Sequence, residues 1–179
     1  MSAAFHLLAE RGFEGLRTRD VAAATGVNIA TLHYYFPTKE ALIRAVLEHA
    51  TSRFRTTLEP HGSPGDQLRN HLRAVRRLMA AEPELGTVMV ELAKRASRDA
   101  SVRAIVNEMF TAWQTTMRGL LRRAARDGKL RAEMSGDAMA ALIMGTLMAA
   151  NLAPMADAKR GDQAVRQLEK LLGISDSSN

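Results

Sequence analysis

Between Asn28 and Lys39 the chain reads NIATLHYYFPTK, and this run holds the side chains best suited to chemistry with a partner. Asn28, Thr31, His33 and Tyr34 supply hydrogen-bond donors and acceptors, Ile29 and Ala30 supply apolar contact, and Lys39 supplies a cation. On a helix Asn28, Ile29, Ala30, Thr31, His33 and Tyr34 make up the outward side, an arrangement able to meet base edges in a DNA groove. Lys39 falls at the start of the next helix, where backbone amides and the helix dipole already favour a phosphate.

The elements that must position these groups are two short helices in Thr18 to Phe36, TRDVAAATGVNIATLHYYF, joined by a glycine turn. Val21, Ala22, Val27, Leu32 and Tyr35 fall at spacings that supply the facing positions, with the small Ala22 where the backbones come closest. Gly26 sits where the chain reverses and a positive φ is easiest without a Cβ, and Asn28 is expected to cap the second helix. Thr18 is expected to cap the first, Arg19 to Thr25, with Asp20 near its positive end. Pro37 ends the second by forbidding the α conformation at Phe36. Thr38 then caps a helix with Glu40 in its first turn and a stripe of Ala41, Leu42, Ala45, Val46 and His49, running to about Leu58. Ahead of all this, Ala3 to Arg11 reads as a short helix with Gly12 as its C-cap, after which Phe13 and Leu16 fold back onto the core.

The chain of 179 residues is rich in Ala, Leu, Arg and Met, with 4% aromatics, five prolines and no cysteine. That composition predicts an all-α fold and excludes disulfides and thiolate metal sites. No signal-peptide pattern opens the chain, and its most apolar run, Ala138 to Ala153, is short of the ~20 residues that span a bilayer; a cytoplasmic protein without a membrane partner is expected. Net charge is +6, yet residues 1–50 hold five Lys or Arg against five Asp or Glu, so the excess lies entirely downstream. Recognition of DNA must therefore rest on motif and local charge placement. Five scattered histidines, with no HExxH, no glycine-rich phosphate loop and no paired carboxylates at helical spacing with a histidine, leave poor material for an enzyme, and no metal site or cofactor is expected. A helical protein-interaction module is the alternative reading, favoured by the neutral N-terminal part.

Glu59 to Gly65, EPHGSPG, breaks the chain. Two domains are expected around it, 1–50 with the helix-turn-helix and a larger helical domain over 51–179. Helices are predicted at Asp66 to Ala81, Leu85 to Ser97, Ser101 to Asp127, Asp137 to Ala153 and Asp162 to Leu172, with a frayed tail from Gly173. The longest carries Val102, Ile105, Val106, Met109, Phe110, Trp113, Thr116, Met117, Leu120, Leu121 and Ala124 at three-and-four spacing. Asp137 to Ala153 is apolar nearly all round and needs two partners, the domain core and a second copy of the chain. A homodimer is expected, with Arg118, Leu121, Ala141, Gly145, Met148, Ala149 and Leu152 at the interface.

The register GVNIATLHYYFPTKEAL, Gly26 to Leu42, resembles the N-terminal signature of TetR-family transcriptional regulators. It joins the turn glycine, the Thr-Leu pair, the aromatic-Phe ending, the proline and the Lys-Glu, and the match covers roughly residues 3–50. The resemblance implies an N-terminal three-helix DNA-binding domain joined by a fourth helix to a larger ligand-binding and dimerisation domain. It implies a homodimeric repressor on a palindromic double-stranded operator, released by a small-molecule effector. By position it implies that Thr18 contacts a phosphate and that Asn28, Ala30, Thr31, Tyr35 and Lys39 position the recognition helix. His33 stands where the family often has tyrosine, and Ile29 and Tyr34 occupy variable positions that can read bases. The family usually carries further residues, some basic, ahead of its first helix. For an apolar or aromatic effector the candidate lining is Met79, Met89, Leu92, Met109, Phe110, Trp113, Met117 and Met144, with His71 and Asn107 to orient a polar end.

Overall fold

The computed structural model describes residues 2–58, 60–128, 130, 135–149 and 158–174. Among them are nine α-helices, a 3-10 turn and no strand: α1 Ser2–Arg11, the turn Gly12–Gly15, α2 Thr18–Thr25, α3 Ile29–Tyr35, α4 Lys39–Arg55, α5 Pro64–Ala81, α6 Pro83–Ala96, α7 Ala100–Arg126, α8 Gly136–Ala149 and α9 Ala158–Leu172. Every predicted helix is present, and the all-α expectation holds. No helix of the described residues is long and apolar enough to cross a membrane.

The differences lie at the ends. Pro64 and Gly65, placed in a breaker stretch by composition, belong to α5, because Ser63 caps it and exchanges hydrogen bonds with Asp66 in a capping box behind Pro64. Pro83 likewise opens α6, and α9 starts at Ala158, ahead of Gly161. α4 stops at Arg55, where the amides of Thr57 and Leu58 turn back to Phe54 and Arg55. Thr18 is the first residue of α2 and not its cap: Arg17 holds that place, with no side-chain capping bond.

The chain divides into two compact units. One comprises Met1–Arg53 and Pro83–Met109, so α6 and the start of α7 close the unit that holds the helix-turn-helix. Its core is Leu8, Leu16, Val46 and Ile43 from the N-terminal segment with Leu85, Val88 and Leu92 from α6, each 1% exposed or less. Burial of these seven side chains is the main stabilising term, about 1.5–3 kcal/mol each. α6 packs along α1 and the turn after it.

The other unit comprises Phe54–Glu82 and Phe110–Asn179. Leu68, Leu72 and Val75 of α5 form a buried stripe with Met117 of α7, Ile143 and Leu147 of α8, and Leu172 of α9. Three arginines of α5 at helical spacing reach the α9 segment. Arg69 Nη1 donates to the Ile174 carbonyl at 3.2 Å, Arg73 makes two 2.7 Å bonds to the buried Glu169, and Arg76 lies 3.2 Å from Asp162. Gly161 leaves room where Arg76 passes: a Cβ there would lie 2.6 Å from its Nε, so the guanidinium would have to shift.

Candidate nucleic-acid interface

The α2–α3 unit is built by local rules. The Val27 amide reaches the Ala22 carbonyl and the Gly26 amide the Ala23 carbonyl, with Gly26 at φ +68°, which is the glycine-capped ending of a helix. Asn28 Oδ1 accepts from the Ala30 amide at 2.8 Å and starts α3 at Ile29. Phe36, at φ −130° and ψ 78°, leaves the helix before Pro37, and Thr38 Oγ1 accepts from the Ala41 amide at 3.1 Å to start α4. The capping expected at Gly26, Asn28 and Thr38 is therefore present.

Only one side of α3 is packed. Val21, Ala22 and Leu32 are buried between the two helices, as their spacing predicts. Val27 and Tyr35, assigned to the same contact by spacing, are instead 41% and 67% exposed. The physical reason is length: a seven-residue helix makes barely two turns, so one residue, Leu32, fills the approach of α2. Tyr35 turns outward and packs edge-on against Tyr34, which is 82% exposed.

The outer surface thus gathers Asn28, Ile29, Ala30, Thr31, His33, Tyr34 and Tyr35, all exposed. Thr18 lies half-buried in the first turn of α2, and Lys39 opens α4. Lys39 is not simply solvated: its Nζ stands over the ring of the buried Phe13, 4.2 Å from the centroid. Arg95 of α6 approaches the same ring, its Cζ 4.6 Å from the centroid. Sequence reasoning missed Arg95, because nothing local ties residue 95 to residue 13. No cluster of His, Cys, Asp or Glu able to hold a metal occurs among the described residues.

The expected effector-lining residues are divided by the fold. Met89, Leu92 and Met109 belong to the unit of the helix-turn-helix, where Met89 and Leu92 are core. Met79 and Met117 are buried in the other unit, and Phe110, Trp113 and Met144 are half-buried there. Trp113 anchors an aromatic group, stacked on Phe54 with Phe110 and His71 beside it. Its Nε1–H donates to His71 Nε2 at 3.1 Å, so His71 carries its proton on Nδ1 and donates it to Thr57 Oγ1 at 2.9 Å. Thr57 passes its own proton to the Phe54 carbonyl at 2.6 Å. Burial pushes the His71 pKa down to about 4, with the hydrogen bond at Thr57 acting weakly the other way. Both ring nitrogens of His71 are engaged within the group, and Asn107 is exposed in the other unit. A depression of about 260 Å³ lies where α7 ends, between Arg118, Arg122, Asp137, Met139 and Leu172; none of the eight candidates lines it.

Of the expected dimer residues, Ala141 and Gly145 are exposed and Met148 and Ala149 half-buried along α8, beside Leu142, which is 49% exposed. Leu121, by contrast, is buried within its own unit, and Arg118 bonds Asp137 at 2.9 Å. Leu152 and the predicted last turn of that helix, 150–153, lie outside the described residues.

Residues 1–46 match the family described as bacterial regulatory proteins, tetR family, and residues 58–168 match a tetracyclin repressor-like C-terminal domain. An HTH-type transcriptional repressor of Mycobacterium tuberculosis is 27% identical over 106 residues, 58% of this chain; the match spans only 41% of that relative's length. Two solved structures share the fold at 18% identity. A TetR transcription regulator of Haloarcula marismortui superposes with a TM-score of 0.80 over 96% of this chain and 93% of its own, and FadR of Bacillus subtilis, solved with stearoyl-CoA, with 0.78 over 96% of both.

Proposed function

Because the chain belongs to the TetR family of bacterial regulatory proteins, which are DNA-binding regulators and not enzymes, we propose that it is a cytoplasmic repressor that binds a palindromic operator as a homodimer and is released by a small apolar or aromatic effector. The observation that carries this reading is the outer face of α3. Ile29, Tyr34 and Tyr35 stay exposed on a helix whose single buried anchor is Leu32, which is costly to leave in water unless a partner covers it. His33 and Thr31 add donors and acceptors between them, the chemistry of base edges.

The dimer is supported by α8, whose Ala141, Leu142 and Gly145 remain uncovered in one chain. A two-fold pair places two α3 helices in successive major grooves about 34–36 Å apart. An effector seated around Phe110, Trp113 and Met144 shifts affinity only by its preference for one spacing over the other. FadR of Bacillus subtilis, which shares the fold, was solved in complex with stearoyl-CoA, a molecule with a long apolar chain, and this supports an apolar effector.

The test is nuclease footprinting on the DNA beside the protein's own gene. Protection with two-fold symmetry is expected, and protection without symmetry, or none at any salt concentration, overturns the reading.

A further inference from the structure

Residues 1–50 carry as many acidic as basic side chains, which leaves the helix-turn-helix without the positive field that DNA binders use to hold the backbone. The fold brings individual cations beside it from a distant part of the sequence. Residues 91–103 hold Lys94, Arg95, Arg98 and Arg103 beside Glu91 and Asp99, and they belong to the same compact unit as α1 to α3. Arg103 donates to the carbonyls of Ala96, the last residue of α6, and of Ser97 just after it. Lys94, Arg95 and Arg98 are exposed, with Lys94 Nζ 3.6 Å from Glu91 Oε1.

Arg95 is the one the structure aims. Its distance to the Phe13 centroid and that of Lys39 put the two cations no more than about 9 Å apart, and phosphates along one strand are spaced on that scale. The guanidinium is already ordered: Asp99 Oδ2 takes its Nε and Nη2 at 3.1 and 3.0 Å, and the Phe13 ring covers one side. Among the described residues no acceptor takes Nη1, and the side chain is 42% exposed. Asp99 is itself fixed, its other oxygen accepting from the Ser101 and Val102 amides at the start of α7. A guanidinium held in this way loses little side-chain entropy on meeting an anion.

We infer that Arg95 of α6 is a second phosphate contact, paired with Lys39 across Phe13, which extends the DNA-contacting surface beyond the helix-turn-helix. The inference rests on the DNA-binding reading above. It assigns to α6 a direct part in holding DNA, not only in packing against α1.

The experiment titrates the full-length protein against a 40-bp duplex of random sequence from 50 to 200 mM KCl, with wild type, Arg95→Gln, Arg95→Lys, Lys39→Gln and the double Arg95→Gln/Lys39→Gln variant. Each phosphate contact contributes about 0.9 to the slope of log affinity against log salt, so R95Q is expected to lose roughly 3.5-fold less affinity across that range than wild type. R95K should keep the wild-type slope, and the double variant should lose about twice the slope change of either single one. Circular dichroism of each variant checks that the helices persist. A wild-type slope in R95Q beside a lowered one in K39Q overturns the inference and leaves the DNA-binding reading intact. A double variant no different from K39Q also overturns it, since Arg95 would then act only by holding Phe13 and Lys39. Absence of salt-dependent binding by the wild type overturns both.

Discussion

Replacing His71 by glutamine isolates the contribution of one buried imidazole, and its size follows from the structure. In the folded chain His71 must stay neutral: Nε2 accepts from Trp113, so a second proton would set two donors against each other, and the ring is 1% exposed. Its folded pKa of about 4 lies below the ordinary 6.5. Between these values the unfolded chain binds the proton and the folded chain does not, so stability is fully present above pH 6.5 and is lost as pH falls towards 4. The loss from pH 8 to pH 5 comes to about 2 kcal/mol, approaching about 3 kcal/mol below pH 4. Urea unfolding at pH 8, 6.5 and 5 measures it. H71Q is expected to be about 1–3 kcal/mol less stable than wild type at pH 8, through imperfect pairing of Trp113 and Thr57, and flatter in its pH dependence by about 2 kcal/mol. Trp113 is the chain's single tryptophan, so quenching of its emission by an imidazolium gives a second readout. Parallel pH dependences for the two proteins, or a fluorescence step near pH 6.5 in the folded wild type, would refute the reasoning.

Gly161→Ala should destabilise by roughly 1–3 kcal/mol in urea unfolding although alanine favours helix, because its Cβ displaces Arg76 from Asp162. His33→Ala and Tyr34→Ala should weaken operator binding more than random DNA, each by about 1–3 kcal/mol, whereas Lys39→Ala should weaken both and lower the salt slope by about 0.9; competitive gel shifts separate these, and equal losses on both DNAs for all three would dismiss the division. Leu142→Glu, on the uncovered face of α8, should convert a dimer to monomer in sedimentation equilibrium with the helix content unchanged, since a carboxylate there must be desolvated for a second copy to dock.

Much of the fold is legible because its punctuation is local. Gly26, Asn28 and Thr38 act on amides at most five residues away, and each does in the structure what its residue type predicts. The same logic holds at α5: Ser63, Pro64 and Asp66 spell a capping box, which assigns Pro64 and Gly65 to the helix although composition alone marks them as a break. Faces are less legible on short helices. In α3, periodicity assigns Tyr35 to the packed side, but two turns leave room for one anchor, and Tyr35 points to water.

What the sequence determined by itself is therefore the set of helices, their caps and the outward chemistry of α3, because these depend on residues within a turn or two of one another. What only the tertiary structure decided are the pairings between distant segments: Trp113 with His71, Arg73 with Glu169, and Arg95 with Phe13 and Lys39. Each joins residues at least 42 apart, and a chain's local preferences carry no term for such contacts. They form because burying α6 against α1, and α5 against α9, removes apolar surface from water and brings those side chains along. The helix-turn-helix, neutral in its own segment, gains its neighbouring cations by that route.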